Sequence, residues 1–313
     1  MHFIKAHKQI SAAVFIVLAL CQAARAEDPC DILLGAGQQI RFGSSEGPLE
    51  GLKYRDVANL IDLANRALGP DFRLPSPISV HMQPRGFQAQ YMLLPAPQNP
   101  ILLLNSVHTS LDGRTANTHS QGQGVVLHEY THLIYETNLR ADLPEFFTAY
   151  QKLDDAVFAG YMEEPVSEET LCLAERRNSL KHMLTSYSEL FADVVPVLAA
   201  EDLKVISKGI YFPGETDPTA RLVAMARDYS VIHDFTTWAV AEPHIILAPL
   251  GGHISRQALT GPDSGAHKQR TARRLYLAIL SEIRARETSG NLQAEVGEMN
   301  VNLLRAFEKQ SSR

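Results

Sequence analysis

The chain has 313 residues, of which 45% are hydrophobic and 20% charged. That is enough apolar material for a sizeable core, and it excludes a disordered chain, a collagen-like repeat and a minimal disulfide scaffold. With 29 basic against 35 acidic residues the net charge is −6, which argues against a nucleic-acid-binding surface as the main business of the protein.

Residues 1–26 read as a secretory signal peptide. Lys5 and Lys8 precede an apolar run from Ile10 to Leu20, and the segment ends in Ala24-Arg25-Ala26. The run is shorter than the ~20 residues of a membrane-crossing helix, so no stable span is expected after cleavage. A lipidated Cys21 is the rival, although Leu20 sits where such signals want a small residue. Removing the segment leaves 26 basic and 35 acidic residues, a net charge of −9. The expected location is the periplasm or the exterior of the cell. Cys30 and Cys172 then remain in a chain that has left the reducing cytosol, and they are expected to pair.

Residues 27–313 read as one domain, with an α/β lobe over 27–140 and a helical lobe over 141–313. After a glycine-containing lead, Val57, Leu60, Ile61, Ala64 and Leu68 fall at helical spacing within Tyr54 to Leu68. Ile78 to Met82, Gln88 to Leu94 and Ile101 to Asn105 read as strands, the last two as a candidate hairpin across a proline-containing loop. From Ser120 onward the pattern is helical, with helices expected near 122–138, 142–158, 168–183, 186–200, 218–233, 265–287 and 291–309. Pro196 is expected to kink or end its helix. The basic cluster His267, Lys268, Arg270, Arg273 and Arg274 reads as a solvated helix face. The fold class is α+β, with its strands early.

The chemistry is carried by His128-Glu129-Tyr130-Thr131-His132. Two histidines four apart share a helix face and can converge on one ion, with Glu129 beside them. Val126, Tyr130 and Leu133 form an apolar stripe, so the polar group rides on a helix bound for the interior. A metal would satisfy those polar atoms together, whereas the bland alternative is a buried helix whose histidines make local hydrogen bonds. Zinc wants a third protein ligand and, in a catalytic site, an open fourth position. A metzincin extension would need Gly at 135 and His at 138, where Tyr135 and Asn138 stand. Glu136 lies too far along the same helix to ligate. Glu189 and Asp193, four apart in an apolar stretch, are the better candidates: Glu189 as ligand, Asp193 as acceptor of a ring N–H from a ligating histidine. Ser186-x-x-Glu189 also fits a capping box, in which Glu189 would only close a helix start.

These residues resemble the gluzincin class of zinc metallopeptidases, with VVxHExTH on one helix (Val125 to His132) and ExxxD on another (Glu189 to Asp193). The resemblance covers about thirty residues. It implies a zincin-like fold, a small N-terminal sheet with an active-site helix and a mostly helical C-terminal lobe. It further implies one zinc per chain on His128, His132 and Glu189, and Glu129 as general base in peptide-bond hydrolysis. Asp193 would orient a ligand. Ser188 stands where the thermolysin-like pattern has Asn, and the GxMEN signature of the related aminopeptidases is absent. Asp228 and His233 have the five-residue spacing of the pair that supplies an oxyanion-binding histidine in that class, with His244, His253 and Tyr211 as rivals. The expected partner is a protein or peptide that adds along an edge strand. The alternatives are a non-catalytic zinc-binding or interaction module on the same scaffold, and an apolar-ligand binder with no stoichiometric metal.

Overall fold

The computed structural model describes residues 31–310 except 44, 46, 87–88, 94–97, 111–112, 114, 163–164, 213–216, 234–241, 262–264 and 290–295. The signal-peptide reading and Cys30 lie outside these residues, so the expected disulfide does too; Cys172 is exposed.

Five strands make one mixed sheet: β1 (Asp31–Leu33), β2 (Gln39–Phe42), β3 (Ile78–Gly86), β4 (Gln90–Met92) and β5 (Ile101–His108), in the order β1-β2-β3-β5-β4. The inner pairs β2/β3 and β3/β5 are parallel, and the outer pairs are antiparallel. Alternation sets the buried face, since Ile78, Val80 and Met82 on β3 and Leu102 and Leu104 on β5 point inward. The candidate hairpin is real, but its first strand shortens to Gln90–Met92, and β4 forms an edge of the sheet. The strands β1 and β2 escape the sequence pattern because each is only three or four residues long.

The described residues also form nine helices. Helix α1 (Tyr54–Leu68) buries Val57, Leu60, Ile61, Ala64 and Leu68, the stripe expected from the spacing. Helix α2 (His119–Asp142) opens on a capping box, with Thr118 N donating to Gln121 Oε1 at 2.8 Å. Helix α3 (Pro144–Tyr161) follows at once, with proline at its start, where a missing N–H costs nothing. Then come α4 (Glu168–Ala200), α5 (Val205–Ile210), α6 (Pro218–Ala226), α7 (Ala248–Thr260), α8 (Gly265–Ser289) and α9 (Val296–Lys309). The architecture is α+β and mostly helical.

Four expectations need correction. The segments 168–183 and 186–200 are a single helix, α4, capped by Ser167, whose side chain accepts from Thr170 N. That helix runs through Pro196 to Ala200 instead of ending there, because Pro196 is buried among Val194, Val195, Val197 and Leu198 and packing outweighs one lost backbone bond. The helix expected over 218–233 stops at Ala226, and a turn follows. The basic cluster on α8 is also less solvated than expected: Lys268 pairs with Glu201, and the Arg274 guanidinium lies 4.2 Å over the Phe307 ring.

The core joins both lobes. Phe72, Tyr135, Phe191 and Tyr276 meet in one aromatic cluster, with Phe72 and Phe191 ring centroids 5.7 Å apart and Tyr135 and Phe191 5.3 Å apart. Phe191 is fully buried two residues beyond Glu189, so the packing that holds α4 against α2 also sets the height of the carboxylate. Burying such a side chain contributes about 1.5–3 kcal/mol.

Candidate metal centre

Helix α2 reaches the site through Tyr130, whose own side chain points the other way. Its hydroxyl donates to Asn65 Oδ1 at 2.5 Å, and Asn65 Nδ2 donates to Gln38 Oε1 at 3.0 Å. This buried polar triad ties α2 to α1 and to the lead of β2. With Tyr130 held on one side, His128 and His132 must face the other, toward α4.

Helix α4 brings Glu189 to meet them. The ligand atoms of His128, His132 and Glu189 all lie within 4.8 Å of one another. The closest approaches are 2.9 Å between the two Nε2 atoms, 3.4 Å from His128 Nε2 to Glu189 Oε2 and 3.3 Å from His132 Nε2 to Glu189 Oε1. Ligands about 2.0–2.1 Å from a tetrahedral ion are separated by roughly 3.3 Å, so the three atoms form a face that a zinc-sized cation can cap.

The remaining ring nitrogens identify the tautomers. His128 Nδ1 lies 3.0 Å from Asp193 Oδ1 and 3.1 Å from the Ala192 carbonyl. Both neighbours can only accept, so the proton sits on Nδ1 and the Nε2 lone pair faces the centre. His132 Nδ1 lies 2.7 Å from Ser188 Oγ. Ser188, the departure from the thermolysin-like pattern, thus still supplies a polar partner to a ligand histidine. The Ala192 carbonyl has a local cause: in a regular helix it would accept from residue 196, and Pro196 has no N–H to give. The proline leaves the acceptor to His128.

The structure removes the capping reading of Glu189. Ser186 lies in mid-helix, with Oγ donating to the His182 carbonyl at 2.8 Å, so it caps no helix start. Glu189 is buried, with its carboxylate directed at the histidines.

A second buried layer was not foreseen. Arg227, 5% exposed, binds Glu189 Oε2 through Nη2 and lies 2.9 Å from Asp193 Oδ2 through Nε. The Tyr229 hydroxyl donates to the same Asp193 oxygen at 3.1 Å. An added Cβ at Gly251 would lie 2.4 Å from that hydroxyl, so glycine there makes room for it. No local sequence pattern marks Arg227, because its carboxylate partners are more than thirty positions away. The available signal was weaker: two buried carboxylates ask for positive charge.

The electrostatics follow from this packing. Burial acts to lower the pKa of His128, but hydrogen bonds to Asp193 and Glu189 outweigh it and raise the value to about 10. Burial would raise Glu189, yet His132 and Arg227 hold it well below the carboxylate range. Glu129 is shifted upward, by burial first. In a metal-free chain a proton on His128 occupies the place of a cation.

These residues floor a cleft of about 560 Å³, lined by Glu129 as well as by the three candidate ligands. Edge strand β4 forms one wall, with Tyr91 stacked on His132 at a centroid distance of 5.3 Å. His233 does not line the cleft; its ring lies near the backbone of Met225 and Ala226, beyond the end of α6. His244 stands at the cleft instead. Its Nδ1 is held by Glu242, and its Nε2 is 3.7 Å from Glu189 Oε1. Tyr211 and His253 are not among the lining residues.

Comparison of the chain with protein-family models, with curated proteins and with solved structures returns no significant match.

Proposed function

We propose that the protein is an exported zinc-dependent metallopeptidase of the gluzincin type, with a zincin-like fold, acting on peptide bonds in a periplasm or outside the cell. One observation carries the reading: two Nε2 atoms and a carboxylate converge at tetrahedral-edge spacing, with Glu129 beside them in an open cleft. His128, His132 and Glu189 would hold the ion, each histidine oriented from behind by Asp193, Ala192 and Ser188. Zinc there supplies Lewis acidity and an acidified water.

The rest is done by the chain. Glu129, its proton affinity raised by burial, takes a proton from the attacking water and returns it to the leaving amine. Edge strand β4 offers backbone groups for an extended substrate beside the site. His244 takes the place expected of His233: doubly protonated, with Nδ1–H given to Glu242, it donates from Nε2 to the substrate carbonyl oxygen as negative charge develops.

The test is zinc content together with chelator-sensitive cleavage of a peptide library by residues 27–313. One zinc per chain, lost in His128→Ala, with cleavage lost in Glu129→Gln, is the expected result. Stoichiometric zinc with no cleavage would favour the non-catalytic module, and no zinc under metal-replete conditions would defeat the reading.

A further inference from the structure

Helices α2 and α4 line the cleft well beyond the metal centre. From α2 come Tyr135, Glu136, Leu139 and Arg140; from α4 come Lys181, Leu184, Thr185 and Ser188. Arg140 lies eight residues after His132, and Lys181 lies eight residues before Glu189. Eight helical residues rise about 12 Å. His128 meets Ala192 and His132 meets Ser188, so the two helices run antiparallel, and the two cations stand at the same end of the cavity they line.

The geometry points to a carboxylate-binding subsite at that end, formed by Arg140 and Lys181 and walled by Phe147 and Tyr150 of α3. This assignment rests on the peptidase reading and names the substrate feature the cleft selects. The Arg140 guanidinium is fixed 5.0 Å over the Phe147 ring, which spares it part of the ordering cost of binding an anion. Glu136 offsets one of the two charges, since it accepts from Arg140 Nε at 2.7 Å. Lys181 makes no ion pair among the described residues. On α3, Asp154 is engaged by Arg177 at 2.7 Å. One uncompensated positive charge therefore faces the cavity.

At ~3.3 Å per residue of extended chain, ~12 Å corresponds to about three to four residues from the scissile bond. The carboxylate that fits is an Asp or Glu side chain at that distance, or the free C-terminus of a short peptide.

The experiment uses zinc-loaded protein and a degenerate peptide library, with cut sites read by mass spectrometry. Matched peptides carrying Glu or Gln about three to four residues from the cut, each with a free or amidated C-terminus, are then compared. An exposed ion pair is worth about a fivefold ratio in kcat/KM, expressed in KM and weakened by added salt. The Glu/Gln arm identifies a side chain, and the acid/amide arm identifies a chain end. In Lys181→Glu, an exposed position whose substitution leaves the core intact, the preference should invert toward basic or amidated peptides. Cleavage with no such ratio, or a ratio unmoved by Lys181→Glu, overturns the subsite and leaves the peptidase reading standing. Zinc-loaded protein that cuts no member of the library overturns both.

Discussion

The two ends of the cleft carry charge in opposite ways. At the metal end Glu189, Asp193 and Arg227 are buried, and every charge has a fixed partner of opposite sign. At the other end Arg140, in the last turn of α2, and Lys181, midway along α4, are exposed. Burial makes charges expensive and their geometry rigid, as chemistry on a fixed atom requires; exposure makes them cheap and screened, as suits selection among solutes. The helices are continuous between the two, so each spans the transition from a scaffolded site to a selective surface.

The largest expected effects lie at the buried end. Glu129→Gln should lower kcat by about 10²–10⁴-fold while zinc stoichiometry stays at one per chain, measured by steady-state kinetics beside metal analysis. A variant that loses zinc as well would move Glu129 from the chemistry to the ligand set. Next comes Asp193→Asn, which removes the charge and keeps only one acceptor oxygen where Asp193 offers Oδ1 to His128 and Oδ2 to Arg227. Zinc affinity should fall about 10–100-fold, and urea unfolding should show a loss of about 3–5 kcal/mol from the broken buried pair.

Pro196→Ala separates stability from function. It supplies the missing N–H to the Ala192 carbonyl, a gain of up to about 3 kcal/mol in helix propensity, which the lost packing of the buried ring offsets in part. His128 then loses an undivided acceptor, and zinc affinity should fall by about tenfold. Equal zinc affinity in the variant would show that Asp193 alone orients the ring.

The smallest effect is a pH dependence of the metal-free protein. The His128 pKa is raised, so its stabilising contribution is complete below about 6.5 and lost as pH rises through about 10. Glu189 is depressed, and its contribution is present above about 4.5 and lost on acidification below that. Metal binding must displace the His128 proton, so calorimetry in buffers of different ionisation heat should report about one proton released at neutral pH. No release would mean that His128 is already neutral.

The parts legible in the sequence are those written at short range. The spacing of His128 and His132, the carboxylates at 189 and 193, and the apolar stripe of α1 are all properties of single helices, and each appears where expected. Long-range features were invisible for the same reason. Arg227 finds its partners only after α6 packs on α5, and His244 reaches the cleft through a segment with no periodic pattern. Asp228 and His233 keep their five-residue spacing, but it could not show that the chain after Ala226 carries His233 away from the cleft. The continuity of α4 escaped because its front half is polar and its back half apolar, so one helix looked like two.

Gly124 has a consequence of its own. A Cβ at this position would sit 2.1 Å from the Val205 carbonyl, so only an absent methyl lets α5 lie this close to α2. Ile206 and Ile210 of α5 line the cleft beside Glu129. The bore of the cleft is therefore calibrated by backbone contact at a residue that itself lines it, and an alanine at 124 would act as a shim, lifting the α5 wall and widening the cleft.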